Sequence, residues 1–213
     1  MVIDKEVSMK LICFGDSIAA GYPFGEENSI ASVISEKNGL DSQSMGYPGL
    51  TSGEILGKSG DVAGVLPDVI LIICGSDDIT YGVAGPRAVH DNIMKMADVF
   101  GSHGIHVIIA SPPACYPKDA SKIKSSDYSF GMHCGEMPGA ERYRKYDNQL
   151  DMLHALLKES CNNKKISFID LYEILKNYSR FHDCIHPTRE IYQYMGTEIA
   201  HRLDEIERGI QWQ

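Results

Sequence analysis

Two stretches of the chain leave little choice of fold. Val69–Cys74 reads VILIIC and Ile105–Ala110 reads IHVIIA. Both are short, rich in β-branched residues and almost free of polar positions. A strand with one face in water alternates polar and apolar residues. A run without alternation is covered on both faces, as in a parallel sheet between two helical layers. Lys10–Phe14 and Ile166–Asp170 read as strands of the same kind. Asp41–Met45 (DSQSM) is polar and reads as a strand at the sheet edge.

Between the strands the apolar period changes from two to that of a helix. Val89, Ile93, Met96, Ala97 and Phe100 share one helical face; so do Tyr143, Tyr146, Leu150, Leu153 and Leu157, and Ile191, Met195, Ile199, Leu203 and Ile206. Ile30, Val33 and Ile34 belong to a helix ending at Asn38-Gly39, and Thr51 with Glu54 forms a capping box that opens another. Alternating strands and helices predict an α/β sandwich around a parallel sheet. The 213 residues suit a single domain over 1–213. Pro112–Gly139 interrupts the rhythm with Pro, Gly, Ser, Cys and aromatics; a loop insertion of that length is usually functional or mobile.

Twenty basic and 29 acidic residues leave a net charge of −9, which argues against nucleic acid as a partner. No run approaches the roughly 18 apolar residues of a membrane span. The amino-terminal stretch has Asp4 and Glu6 where a secretory signal would be basic, so a cytoplasmic location is expected. The six cysteines have no CxxC spacing, and no metal is expected. Cys13 and Cys74 read as buried, inert thiols. Cys115 and Cys134 could pair across the loop, free thiols being the expectation in a cytoplasmic protein. Oligomeric state is not legible.

Four short blocks carry the chemistry, each directly after a strand. Gly15-Asp16-Ser17 presents a serine hydroxyl on a strand-to-helix turn. By itself such a serine is usually a cap or turn former. Asp183-Cys184-Ile185-His186-Pro187 supplies an imidazole base, with an aspartate three residues away to fix its tautomer; a solvated loop pair is the plainer reading. Gly46-Tyr47-Pro48-Gly49-Leu50-Thr51 offers an exposed backbone amide as oxyanion donor, or is an ordinary turn. Gly75-Ser76-Asp77-Asp78 ends the most apolar strand as a polar loop or a site. All four converge on the carboxyl edge of the sheet, where open α/β sheets bind ligands.

In this order the blocks resemble the SGNH hydrolases, also called GDSL esterases and lipases, over roughly residues 9–207. The resemblance implies a flavodoxin-like three-layer α/β/α sandwich with about five parallel strands. It implies Ser17 as nucleophile, His186 as general base and then acid, and Asp183 to orient His186. The oxyanion would rest on the amides of Ser17 and Gly49, with no cofactor. The family's third donor is an asparagine, and here Asp77 stands in its place. The implied activity is hydrolysis of small carboxylic esters, acyl esters or acetylated sugars. The other reading is a ligand-binding or regulatory module with little turnover, which Asp77 supports. Tyr128 and Phe130 in the long loop suit the lining of a substrate pocket; a surface excursion is the alternative.

Overall fold

The computed structural model describes residues 9–114, 139–176 and 186–207. Five strands form one parallel sheet: β1 (Lys10–Gly15), β2 (Asp41–Gly46), β3 (Val69–Ile73), β4 (His106–Ala110) and β5 (Ser167–Ile169). Their spatial order is β2-β1-β3-β4-β5. This is the flavodoxin-like order, with the reversal of winding between β1 and β3.

Each strand sorts its side chains by parity. From β1, Ile12 and Phe14 face one layer while Leu11 and Cys13 face the other; from β3, Ile70 and Ile72 oppose Leu71 and Ile73. The first face packs against α2 (Ser52–Leu56), α3 (Ser59–Ala63), α5 (Pro86–Ser102) and α6 (Gly139–Lys164). The second packs against α1 (Ile30–Asn38) and α8 (Arg189–Glu207). All five residues of β3 are buried, which accounts for the unbroken apolar run. Full burial of one such aliphatic side chain is worth about 1.5–3 kcal/mol. The molecule is thus a three-layer α/β/α sandwich.

The expected strands are all present, β2 at the edge as its polar pattern required. The helix of Ile30 ends at Gly39, a left-handed cap with φ 70°, and the Thr51–Glu54 capping box opens α2. Two short helices depart from expectation. Ser76–Tyr81 is α4, so the Gly75-Ser76-Asp77-Asp78 block opens a helix. Leu171–Leu175 is α7; its first turn is capped by Asp170, whose side chain accepts from the Glu173 amide, so β5 stops before that residue. Among the described residues no helix is long and apolar enough to cross a membrane. Of the segment Pro112–Gly139 only residues 112–114 and Gly139, which opens α6, are described.

Candidate active site

The site lies at the β1/β3 switch point, and its local geometry begins with Gly15. A Cβ there would sit 1.7 Å from the carbonyl oxygen of Ile73, so only glycine allows β1 and β3 to close at this edge. The next residue, Asp16, is fully buried. Its Oδ1 accepts from the Ile18 amide at 3.0 Å, and its Oδ2 accepts from the amides of Gly75 at 2.9 Å and Ser76 at 3.0 Å. One carboxylate thereby ties the serine turn to the start of α4. Burial, and then the neighbouring Asp77 carboxylate, push the Asp16 pKa up to about 7 against the pull of those amides.

Ser17 and His186, 169 positions apart, meet with His186 Nε2 2.9 Å from Ser17 Oγ. Both are buried. With Nε2 unprotonated, the hydroxyl donates to it and can lose its proton to the ring as the oxygen attacks an electrophile. His186 reaches this position just ahead of α8, and α8 is locked to α1. A Cβ on Gly196 would lie 2.5 Å from Val33 Cβ, and Asn38 Nδ2 donates to the Ala200 carbonyl at 3.1 Å. The α8 residue Tyr192 donates its hydroxyl to the Tyr22 carbonyl at 2.8 Å. The Tyr22 ring in turn meets the His186 imidazole edge-on, centroids 4.7 Å apart. The serine turn and the histidine therefore share one aromatic anchor.

The side of the site where the resemblance expects oxyanion donors holds two adjacent acids of α4, both buried. The Gly49 amide donates to Asp77 Oδ2 at 3.1 Å. Asp78 accepts from the Ser52 amide at 2.7 Å and from the Ser52 hydroxyl at 2.9 Å. Asn92 Nδ2 donates to that same hydroxyl oxygen at 3.0 Å. Burial raises the Asp78 pKa above the ordinary carboxylate range, although the Ser52 bonds pull it down. Asp16, Asp77 and Asp78 thus link the loops after β1, β2 and β3 in series. Where a third donor would stand, Asp77 Oδ2 is an acceptor that engages the Gly49 amide, because a carboxylate has no N–H to offer.

Of the residues expected at the site, Ser17, Gly49, Asp77 and His186 are brought together. Asp183, Tyr128 and Phe130 lie outside the described residues, as do Cys115 and Cys134. Sequence reasoning missed the clamping roles of Asp16 and Asp78 and the place of Tyr22. The two acids carried a signal, since each lies within a block already singled out; Tyr22 carried none.

Away from this pair, a serine–histidine–aspartate chain joins α5 and α6. His90 Nδ1 is 2.9 Å from Asp91 Oδ1 and His90 Nε2 is 2.8 Å from Ser160 Oγ. Ser160 sits inside α6, where backbone amides are committed to the helix and none is left to hold an oxyanion. It ties two helices together and lacks the makings of a catalytic centre.

Residues 13–194 match the family model described as the GDSL-like Lipase/Acylhydrolase family. No curated protein matches the sequence. Among solved structures, a member of the lipolytic protein G-D-S-L family from Veillonella parvula DSM 2008 is 20% identical, with a TM-score of 0.71 over 91% of this chain and 97% of that one. A lipase/acylhydrolase from Enterococcus faecalis is 20% identical, TM-score 0.71, over 92% and 95% respectively. A carbohydrate acetylesterase family member from Sinorhizobium meliloti is 18% identical, TM-score 0.65, over 92% and 97%. At these identities the likeness establishes a shared fold.

Proposed function

Because the chain belongs to the GDSL-like lipase/acylhydrolase family, a family of hydrolases, we propose that it is a serine esterase that cleaves small carboxylic esters through an acyl-enzyme. The observation that carries this reading is the 2.9 Å approach of His186 Nε2 to Ser17 Oγ. Ser17 Oγ adds to the ester carbonyl carbon while His186 takes its proton. The carbonyl π pair moves onto oxygen, and the oxyanion is met by the amides of Ser17 and Gly49. The C–O bond to the alcohol then breaks, and the departing oxygen takes the proton from His186. Water repeats the sequence on the acyl-enzyme, releases the acid and returns the proton to Ser17. Asp183, three residues before His186 in sequence, is assigned to orient the imidazole. No cofactor takes part in these steps.

Acyl esters and acetylated sugars are the substrates to test, the latter supported by the likeness to the Sinorhizobium meliloti acetylesterase family member. Tyr128 and Phe130 are assigned to the substrate pocket. The cytoplasm is the setting assigned to the protein, one in which the free thiols of Cys13, Cys74 and Cys161 would persist. The net charge of −9 supports a small-molecule partner over a nucleic acid.

The test is a panel of chromogenic esters of increasing acyl length, together with acetylated sugars, on wild type, Ser17→Ala and His186→Ala. Each variant should lose at least about a thousandfold in turnover, since nucleophile and base act as a unit. A Ser17→Ala enzyme keeping more than about a tenth of wild-type turnover would exclude a serine mechanism. One observation favours a second reading, a binding module with little turnover: Asp77 occupies the Gly49 amide that the oxyanion needs.

A further inference from the structure

A cluster on the outer side of α6 and α7 has no part in the ester chemistry. One ligand atom each from Asp151, His154 and Glu173 lies within 4.8 Å of the other two. Asp151 and His154 are neighbours one turn apart on α6; Glu173 comes from α7, which is why no sequence spacing announced the group. The acidic residues alone would mean little, because both are partly or fully exposed. His154 changes that: it is buried, 7% exposed. Its Nδ1 is inaccessible to water and has no hydrogen-bond partner among the described residues. That nitrogen stands 3.7 Å from Asp151 Oδ1, too far for a hydrogen bond.

The other face of the ring is fixed in the manner of a metal ligand. His154 Nε2 is 2.9 Å from Asp170 Oδ2, so its proton belongs on Nε2 and the lone pair is on Nδ1, the nitrogen nearer Asp151. The imidazole is stacked on Tyr172, centroids 5.1 Å apart and planes 16° off parallel. The same Asp170 caps the helix that carries Glu173, accepting from the Glu173 amide at 3.1 Å. One carboxylate therefore orients two of the three donors. Counting formal charges, Asp151, Asp170 and Glu173 are opposed by Lys158, which bonds Asp170, and Lys176, which bonds Glu173. With His154 neutral, one negative charge remains.

From this geometry we infer that Asp151, His154 Nδ1 and Glu173 form a binding site for a divalent first-row transition ion such as Zn²⁺. Bonds of about 2.1 Å place tetrahedral ligands about 3.4 Å apart, so the Asp151–His154 spacing needs to close by only a few tenths of an ångström. One imidazole with two carboxylates suits Zn²⁺ better than the all-oxygen preference of Mg²⁺ or Ca²⁺. A water completes the fourth position. Glu173 exchanges Lys176 for the ion, and the bound ion pins α7 to α6.

The experiment is calorimetric titration of chelator-stripped full-length protein with ZnCl₂, with MgCl₂ as the hard-ion control. It is repeated with Asp151→Asn and Glu173→Gln, both isosteric and both at accessible positions. The site predicts one Zn²⁺ per chain, a rise in melting temperature with Zn²⁺, weak or no Mg²⁺ binding, and at least a tenfold loss of Zn²⁺ affinity in each variant. Failure to bind Zn²⁺ would overturn the inference. So would Zn²⁺ affinity unchanged in both variants, which would assign the ion to other residues. Because the readout is binding and melting, the result is independent of esterase activity.

Discussion

At the scale of single residues the decisive contact is the Gly49 amide on the Asp77 carboxylate. An ionised carboxylate holds that amide much as a transition-state oxyanion would, and in the proposed mechanism its charge opposes the oxyanion that takes its place. Asparagine at this position accepts the same amide through its carbonyl and keeps an N–H₂ to donate. Asp77→Asn is therefore expected to raise kcat/KM at neutral pH, with one recovered donor worth about 2.7–4 kcal/mol as an upper bound. Slower hydrolysis than wild type at every pH from about 5 to 8, the span in which histidine titrates, would mean that Asp77 serves the reaction in another way. The neighbouring Asp16 sets a stability prediction. Its pKa, ordinarily 3.8, is about 7 in the fold. Between those values the folded chain holds a proton that the unfolded chain has lost, so stability from this group is complete below 3.8 and gone above about 7. Removing the Asp77 charge lowers the Asp16 pKa, and each unit is worth about 1.4 kcal/mol. The Asp77→Asn variant should thus gain more in urea midpoint at pH 8 than at pH 5; equal shifts at both would refute the coupling.

At the scale of elements, the packing of α8 on α1 carries His186 to Ser17, and Gly196 is where that packing is closest. Alanine for glycine inside a helix ordinarily stabilises by up to about 1 kcal/mol. Here the added Cβ would lie 2.5 Å from Val33 Cβ. Gly196→Ala should therefore destabilise, by about 1–3 kcal/mol on a chemical-denaturation curve, with loss of turnover as α8 shifts. A neutral or stabilising result would show that the two helices can part freely. Elements of this size were legible where burial imposes a pattern: the unbroken run of β3, the polar β2 at the edge, the helical faces of α5 and α6. The two short helices were not. A single turn such as α4 has no room for a period, and Gly75-Ser76-Asp77-Asp78 reads equally as loop; acids in the first turn of a helix were the available hint. At β5 the apolar run gave way at Asp170, because an aspartate after a strand is also a helix cap. The site was legible as residue types, Ser17 and His186 above all. The partners of Asp16, Asp77 and Asp78 were not, since each bond joins two loops that sequence holds far apart. One selectivity prediction belongs to the long loop. Replacing Tyr128 and Phe130 by serine should change the ranking of esters in the panel more than it lowers melting temperature; an unaltered ranking would remove that loop from the site.

At the scale of the whole molecule, strand order does the assembling. Reversal of winding between β1 and β3 opens a crevice at the carboxyl edge. Three buried aspartates draw the loops around it together, and α8 delivers the histidine from the far end of the chain. The same molecule carries a serine–histidine–aspartate chain at Ser160, so a count of residue types does not choose between the two serines; the proposal of Ser17 rests on its surroundings. Labelling with a fluorophosphonate, read by intact mass and peptide mapping, tests this most directly. Wild type should take up one adduct, on Ser17. Ser17→Ala should take up none, and His186→Ala should react at least about a hundredfold more slowly. Labelling of Ser160, labelling of Ser17→Ala at the wild-type rate, or no labelling of wild type would contradict a Ser17 nucleophile activated by His186.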